Sequence, residues 1–470
     1  MIGAILRKEA LSILRDGRLL LLAVSLFAVL LGFFLAATQE YRHMRNEKQA
    51  AGETVRAQWE AQGVKGTHQA AHFGIYVFKP ESPLAAIDPG LRQFTGQALW
   101  LEPHKRNLAR FSPAADQGIA TRFGQMSAAF VLHTLLPLLI VALAFNAVTH
   151  EREQGTLRML HSLGLSARKL LFGKFFGLLL AFTLLLLPSL LIGIFLLFGV
   201  SSVGSDDILR GVVLGFAYLL YYGIFAALAM AASAWLKSSR LAFFVLVAFW
   251  LSSVLVAPRV GAIMAEALVP IPSATQFWAS IQQDIEHGLN QDGDSTTRLK
   301  AFEAQTLHRY GVKRVEDLPE GFHALRRHFK DAYSNRVHAL HFDRLWDSFE
   351  RQGTFMRSGS LLGPSIAMRA LSMSLSMTDF SHQRHFENAA EAYRQYFVGL
   401  TDMWDWQRTR GTEVGGQGSA ADWRSVDRFE YRAPPLSFAL QASRMDIAVL
   451  LFWALAAAVA LLISARKLTP

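Results

Sequence analysis

Histidine is the residue type with the most chemistry to offer in this chain, and it comes in close pairs: His68/His72, His338/His341 and His382/His385. Two imidazoles three or four residues apart project from one face of a helix and can share a metal ion. Asp343 follows the second pair, and Met368, Met373 and Met377 precede the third, a thioether set suited to cuprous ion. Spacing alone does not select a metal, because histidine pairs are common on helices that bind nothing. The expectation is therefore no resident metal, with His338, His341, His382 and His385 as the named candidates. Catalytic sets are missing. HEREQ at 150–154 begins like a zinc-protease helix but lacks the second histidine of H-E-x-x-H, no G-x-S-x-G elbow occurs, and cysteine is absent. A non-catalytic chain with no cofactor of its own is expected.

A second set of reactive types is crowded into one short stretch, THEREQGTLRMLHSLGLSARKLLFGK at 149–174. Two glutamates flank Arg152, a Gly155-Thr156 break follows, and a basic cluster closes the segment. Plain membrane anchoring accounts for Arg and Lys but not for Glu151, Glu153 and the break. The pattern predicts a helix running to Glu153, a bend at Gly155, and about two helical turns with Leu157, Leu160 and Leu163 on one flank. After Gly164, Ser166 is placed to cap the next helix. Further polar groups sit inside apolar runs: His133, Asn146, Tyr221 and Tyr222, with Tyr218 nearby. Such residues face a bundle interior or a translocation path, and helix packing is an equal reading for the tyrosines.

The elements that must position these residues are membrane spans. The 470 residues are 52% hydrophobic and 18% charged, which favours a membrane class, and the +10 formal charge is too dispersed for a nucleic-acid surface. Six apolar runs are long enough to cross a bilayer: 19–38, 127–148, 175–199, 211–236, 241–257 and 446–464. The first, preceded by Arg7, Lys8, Arg15 and Arg18, is read as an uncleaved span rather than a signal peptide. Basic residues collect before span 1, between spans 2 and 3, at Lys237 and Arg240, and at Arg466 and Lys467, so both termini are expected in the cytoplasm.

Residues 39–126 and 258–445 then lie outside, the larger as a mainly α-helical domain and the smaller with a β-prone GIYVFKP followed by turn-forming SPLAAIDPG. GPSIAMRALSMSLSM and PRVGAIMAEALVPIP are apolar enough to lie on or dip into the outer membrane face. Residues 1–18 read as an amphipathic helix on the cytoplasmic surface, with Ile2, Ile5, Leu6, Ala10, Ile13 and Leu14 on its apolar side. Residues 465–470 form a short cytoplasmic tail.

E-R-E-x-G-T-L followed by S-x-x-x-L-L-x-G-K resembles the link between the second and third spans of ABC-2 permeases of ATP-binding-cassette transporters. RKEALSILRDGR is similar to their interfacial connecting helix, and HFGIYVFKPESPLAAIDPG with GPSIAMRALSMSLSM resembles the branch with a large extracytoplasmic domain. The resemblance implies an all-α polytopic fold of type V exporter kind in a bacterial inner membrane. It also implies a coupling helix carrying Glu151, Arg152, Glu153, Gly155, Thr156, Leu157 and Leu160. The implied partners are an ATP-binding-cassette ATPase holding ATP and Mg, a second permease copy or paralogue, membrane lipid and a periplasmic protein; nucleic acid is not among them. No G-x-x-x-x-G-K-[ST] phosphate loop occurs, since Gly173-Lys174 is followed by Phe175, so ATP must be handled by another polypeptide. The expected activity is ATP-driven export or membrane extraction; the alternative is an envelope scaffold or sensor.

Overall fold

The computed structural model describes residues 2–112, 127–199 and 203–468. Residues 113–126 of the smaller outside segment, the tail residues 469–470 and the side chains of Arg18 and Lys467 lie outside the described residues. The chain is an all-α polytopic membrane fold, with six helices among the described residues long and apolar enough to cross a membrane. Helix α1 (Ile2–Arg15) is followed by α2 (Gly17–Glu60), which contains the first span. At 1.5 Å per residue, the 44 residues of α2 extend about 66 Å, roughly twice the hydrocarbon thickness, so its polar half must protrude.

Helix α3 (Thr67–Ala71) and strands β1 (Lys65–Gly66), β2 (Ile75–Phe78) and β3 (Ala98–Leu101) follow. The β-prone GIYVFKP forms β2, whose antiparallel partner is β3 with Ile75 opposite Leu101. The second span is broken into α4 (Ala128–Phe130), a π-helical turn at Val131–Leu135, α5 (Leu136–Ala144) and α6 (Thr149–Glu153). Helices α7 (Thr156–Ser162), α8 (Ala167–Phe198) and α9 (Ser205–Trp235) come next. The fifth span, α10 (Ser239–Leu251), passes through a π-helical turn at Ser252–Val256 into α11 (Ala257–Leu268). PRVGAIMAEALVPIP therefore mostly continues the span as helix rather than turning back along the membrane. Pro258 sits where the π-helical turn passes into α11, a local widening of the kind that accommodates a proline in a spanning helix.

Helices α12 (Ala274–His287), α13 (Ser295–Tyr310), α14 (Phe322–Ser358), α15 (Ser365–Leu375) and α16 (Phe380–Arg408) build the larger polar domain. Strand β4 (Gln417–Gly418), α17 (Ala420–Ser425) and α18 (Leu436–Ala442) lead back to α19 (Arg444–Lys467), the sixth span. The domain is one body with the protruding end of α2. Trp59 is fully buried against Trp423 and Phe397, and its indole N–H donates to the Trp423 carbonyl at 2.9 Å. Arg56 donates to the carbonyls of Val426 and Arg424, and β1 pairs with β4. A second core joins α12 to α14 through Phe277, Ile281, Val337, Phe342 and Trp346.

Helix α15 packs among the spans. Ala367, Met368, Leu371 and Leu375 belong to the same buried cluster as the spans. Its approach is close: a Cβ at Gly363 would lie 2.0 Å from the Ser253 hydroxyl. Met368 is wholly buried there, a packing role that removes it from any copper set. At the opposite end, α1 lies across the start of α8 rather than on the lipid surface alone. A Cβ at Gly173 or Gly177 would meet Ile5 at 2.7 Å or Glu9 at 2.8 Å, so this G-x-x-x-G pair lets the two helices touch.

Candidate functional site

The charged link folds as its breaks dictate. Gly155 adopts φ 73°, a left-handed conformation that favours glycine, and nothing crowds it; the need is conformational. It starts α7, which ends before Gly164 at φ 79°, and the Ser166 hydroxyl accepts from the Lys169 amide at 3.5 Å as α8 begins.

Each residue of the Glu151-Arg152-Glu153 triplet reaches a different helix. Glu151 lies 3.1 Å from the Lys174 ammonium of α8 and 3.6 Å from Lys8 of α1, and it accepts from the Thr156 hydroxyl. Lys174, with only 5% of its side chain exposed, also binds Glu9 of α1 at 3.1 Å. Arg152 donates to the carbonyls of Leu236 and Ala234 at 2.7 and 2.8 Å, satisfying the C-terminal end of α9 with a cation where the helix dipole is negative. Glu153 accepts from the Ser239 amide and hydroxyl at 2.6 and 2.8 Å, capping the N-terminus of α10 with an anion. The triplet is thus a junction that fastens α1, α8, α9 and α10 to one point. Sequence reasoning assigned all three charges to an outside partner; among the described residues each has partners within the chain.

The short helix α7 also divides differently from the expected single flank. Leu157 is buried in the bundle core at 1% exposure and Leu160 is half-buried beside it, so both anchor the helix. Met159 and Leu163, four residues apart, are 56% and 73% exposed on the other side, with Arg158 and Ser162. This second apolar pair was readable as an i, i+4 spacing, but a seven-residue helix leaves its phase open. The face that a partner can reach is Arg158, Met159, Ser162 and Leu163.

Inside the bundle, His133 is buried in the π-helical turn, and the Tyr221 and Tyr222 hydroxyls donate to the carbonyls of His133 and Leu132, both at 2.9 Å. The Trp250 indole serves the Thr134 carbonyl at 2.9 Å. These donors satisfy carbonyls that the widened turn frees. Tyr221 additionally meets Ser365 at 2.8 Å, tying α9 to α15. Asn146 is half-buried in the turn between α5 and α6, apart from this cluster.

The four histidines named as metal candidates have separate partners. His338 shares a hydrogen bond with the Ser334 carbonyl at 2.8 Å, and His341 pairs with Asp284 at 2.8 Å. His382 pairs with Asp379 at 2.5 Å, and His385 meets the Tyr431 hydroxyl at 3.0 Å. Among the described residues neither pair belongs to a group of three or more such ligands. A cavity of about 850 Å³ opens between α2 and the polar domain, with aromatic walls from Tyr41, Trp59 and Tyr393 and bases at Lys48, Lys79 and Arg428. Burial pushes the Lys79 ammonium below the usual lysine range, although Glu81 opposes the shift.

Residues 110–282, from before the second span to the middle of α12, match the family model described as ABC-2 family transporter protein. Residues 274–432, the polar domain from α12 through α17, match a domain of unknown function, DUF3526. No curated protein matches the chain.

Proposed function

We propose that the chain, which matches the ABC-2 transporter family model over its second to fifth spans and carries an additional domain between its fifth and sixth, is an ABC-2 type permease, the membrane subunit of an ATP-binding-cassette transporter. Permeases of this kind are generally non-catalytic and work with an ATPase. In this reading a separate subunit binds ATP and Mg, grips the exposed face of α7, and moves the bundle through the junction behind it. The carrying observation is that junction: Glu151, Arg152 and Glu153 lie directly before α7 and fasten four other helices, so a push on α7 is delivered to all of them. The transporter pairs with a second permease copy or paralogue in a bacterial inner membrane, keeps both termini in the cytoplasm, and exports its substrate or extracts it from the lipid.

The alternative, an envelope scaffold or sensor that transmits motion without cargo, is favoured by one feature. The rigid 44-residue α2 joins the cytoplasmic junction, through α1, to Trp59 in the outer domain. Co-expression with the ATPase tests the primary reading. The ATPase should copurify with the wild-type chain and be lost from a Met159→Glu/Leu163→Glu variant that still inserts in the membrane. Reconstitution then separates transport from scaffold, because a scaffold would support ATP hydrolysis with no movement of any substrate.

A further inference from the structure

Where the two polar segments of the chain meet, three imidazoles converge. His68 and His72 lie at the start and just past the end of α3, and His104 sits in the loop after β3. Their candidate ligand atoms all lie within 4.8 Å of one another, and the ring centroids are 4.8 to 5.2 Å apart. The Nε2 atoms of His68 and His72 are 3.1 Å apart, close to the roughly 3.3 Å edge of a tetrahedron with metal–nitrogen bonds of about 2.05 Å.

What lies behind the rings distinguishes this cluster from a chance one. The Nδ1 of His68 meets Asp402 at 3.0 Å, and the Nδ1 of His104 meets Asp331 at 2.7 Å. A carboxylate on Nδ1 fixes the tautomer that carries its proton there and leaves Nε2 as a lone pair facing the other rings. This is the carboxylate–histidine arrangement that orients metal ligands. Asp402 is itself held, 4% exposed and accepting from Arg327 at 2.9 Å, while Asp331 is mostly buried. His104 is kept at a left-handed φ of 70°, and its carbonyl accepts from the Ser334 hydroxyl at 2.9 Å. Helices α14 and α16 of the additional domain thus supply the supports, and the first polar segment supplies the ligands.

We propose that His68, His72 and His104 form a binding site for one divalent transition-metal ion of the zinc type. Three neutral imidazoles match the preference of such ions, and the exposed side of His72 leaves a fourth position for water or an exogenous ligand. The ion clamps the first polar segment to the additional domain. Without it, the same His68–His72 contact is a simple hydrogen bond, and the experiment must distinguish the two.

The test uses the full-length chain in detergent, stripped with chelator and titrated with Co²⁺ as a spectroscopic stand-in and then with Zn²⁺. The expected result is one equivalent of Co²⁺ giving the visible absorption of a tetrahedral nitrogen-rich site, displaced by Zn²⁺, together with a rise in melting temperature. His72→Ala/His104→Ala should lose the signal, and Asp331→Asn should weaken affinity by about tenfold to a hundredfold while keeping the spectrum. Because His72 is on the surface, His72→Ala alone checks that loss of signal is not loss of fold: its metal-free melting should match the metal-free wild type. Absence of Co²⁺ or Zn²⁺ binding at micromolar concentration in the wild type, or undiminished binding by the double variant, overturns the proposal.

Discussion

Replacing Lys174 by Met isolates the junction on which the coupling account rests. The Lys174 ammonium is 3.1 Å from Glu9 and 3.1 Å from Glu151, and only 5% of its side chain is exposed. At an effective dielectric near 20, each contact is worth roughly 5 kcal/mol of gross attraction, most of which offsets the desolvation of the three groups. The net worth of the triad against an apolar replacement is therefore small. Removing the cation alone is different, because two carboxylates with 13% and 14% exposure are left facing each other. Lys8, 3.6 Å from Glu151 but 67% exposed, compensates for about 1 kcal/mol at most.

Breaking a buried pair costs about 3–5 kcal/mol, and the residual exposure places this case near 3, about two powers of ten in the local equilibrium. Lys174→Met should lower the melting temperature of the solubilised chain and open α1 to protease. Glu9→Gln/Glu151→Gln/Lys174→Met should recover most of the loss. A single variant that melts like wild type, or a triple variant no better than the single, would refute the reasoning.

Leu157→Ala should destabilise by about 2–5 kcal/mol through a cavity behind α7, and chemical unfolding of the purified chain measures it. Gly177→Leu forces a side chain into the space of Leu6 and Glu9 and should cost about 1–3 kcal/mol, visible as faster proteolysis of α1. In the additional domain, hydrogen bonds from Arg408 first, and then from the Ser419 amide, hold the Asp422 carboxyl at about 2. Because that value lies below the ordinary Asp range, its contribution is complete above that range and is lost as pH falls through about 2. Tryptophan fluorescence during acid titration should show Asp422→Asn with a flatter stability profile between pH 4 and 2 than wild type.

The spans and the breaks around α7 were legible because they are local signals. Apolar length, Gly155, Gly164 and Ser166 each act within a few residues. The partners of Glu151, Arg152 and Glu153 were not, since they are helix ends and side chains up to about 150 residues away in sequence, and a charge cluster does not announce what it caps. Gly173 and Gly177 are a small-residue pair at i, i+4 spacing, but that spacing names no partner, and only the fold shows that α1 is what approaches them. The His68/His72 pair was visible at helical spacing, whereas His104 joins it through tertiary folding and an unusual backbone angle that no spacing rule supplies. An apolar helix packed inside the bundle and a thioether ligand set look alike in one dimension, so spacing alone did not show that Met368 packs among the spans.

The central claim is that ATP-driven work enters through the exposed face of α7. Photo-crosslinking residues placed singly at Met159, Leu163, Leu157 and Leu165 of the chain, co-expressed with its ATPase, test it directly. Crosslinks to the ATPase from Met159 and Leu163, with none from the buried Leu157 and Leu165, are the predicted outcome. An ATPase that copurifies with the chain yet crosslinks to neither Met159 nor Leu163 contradicts it.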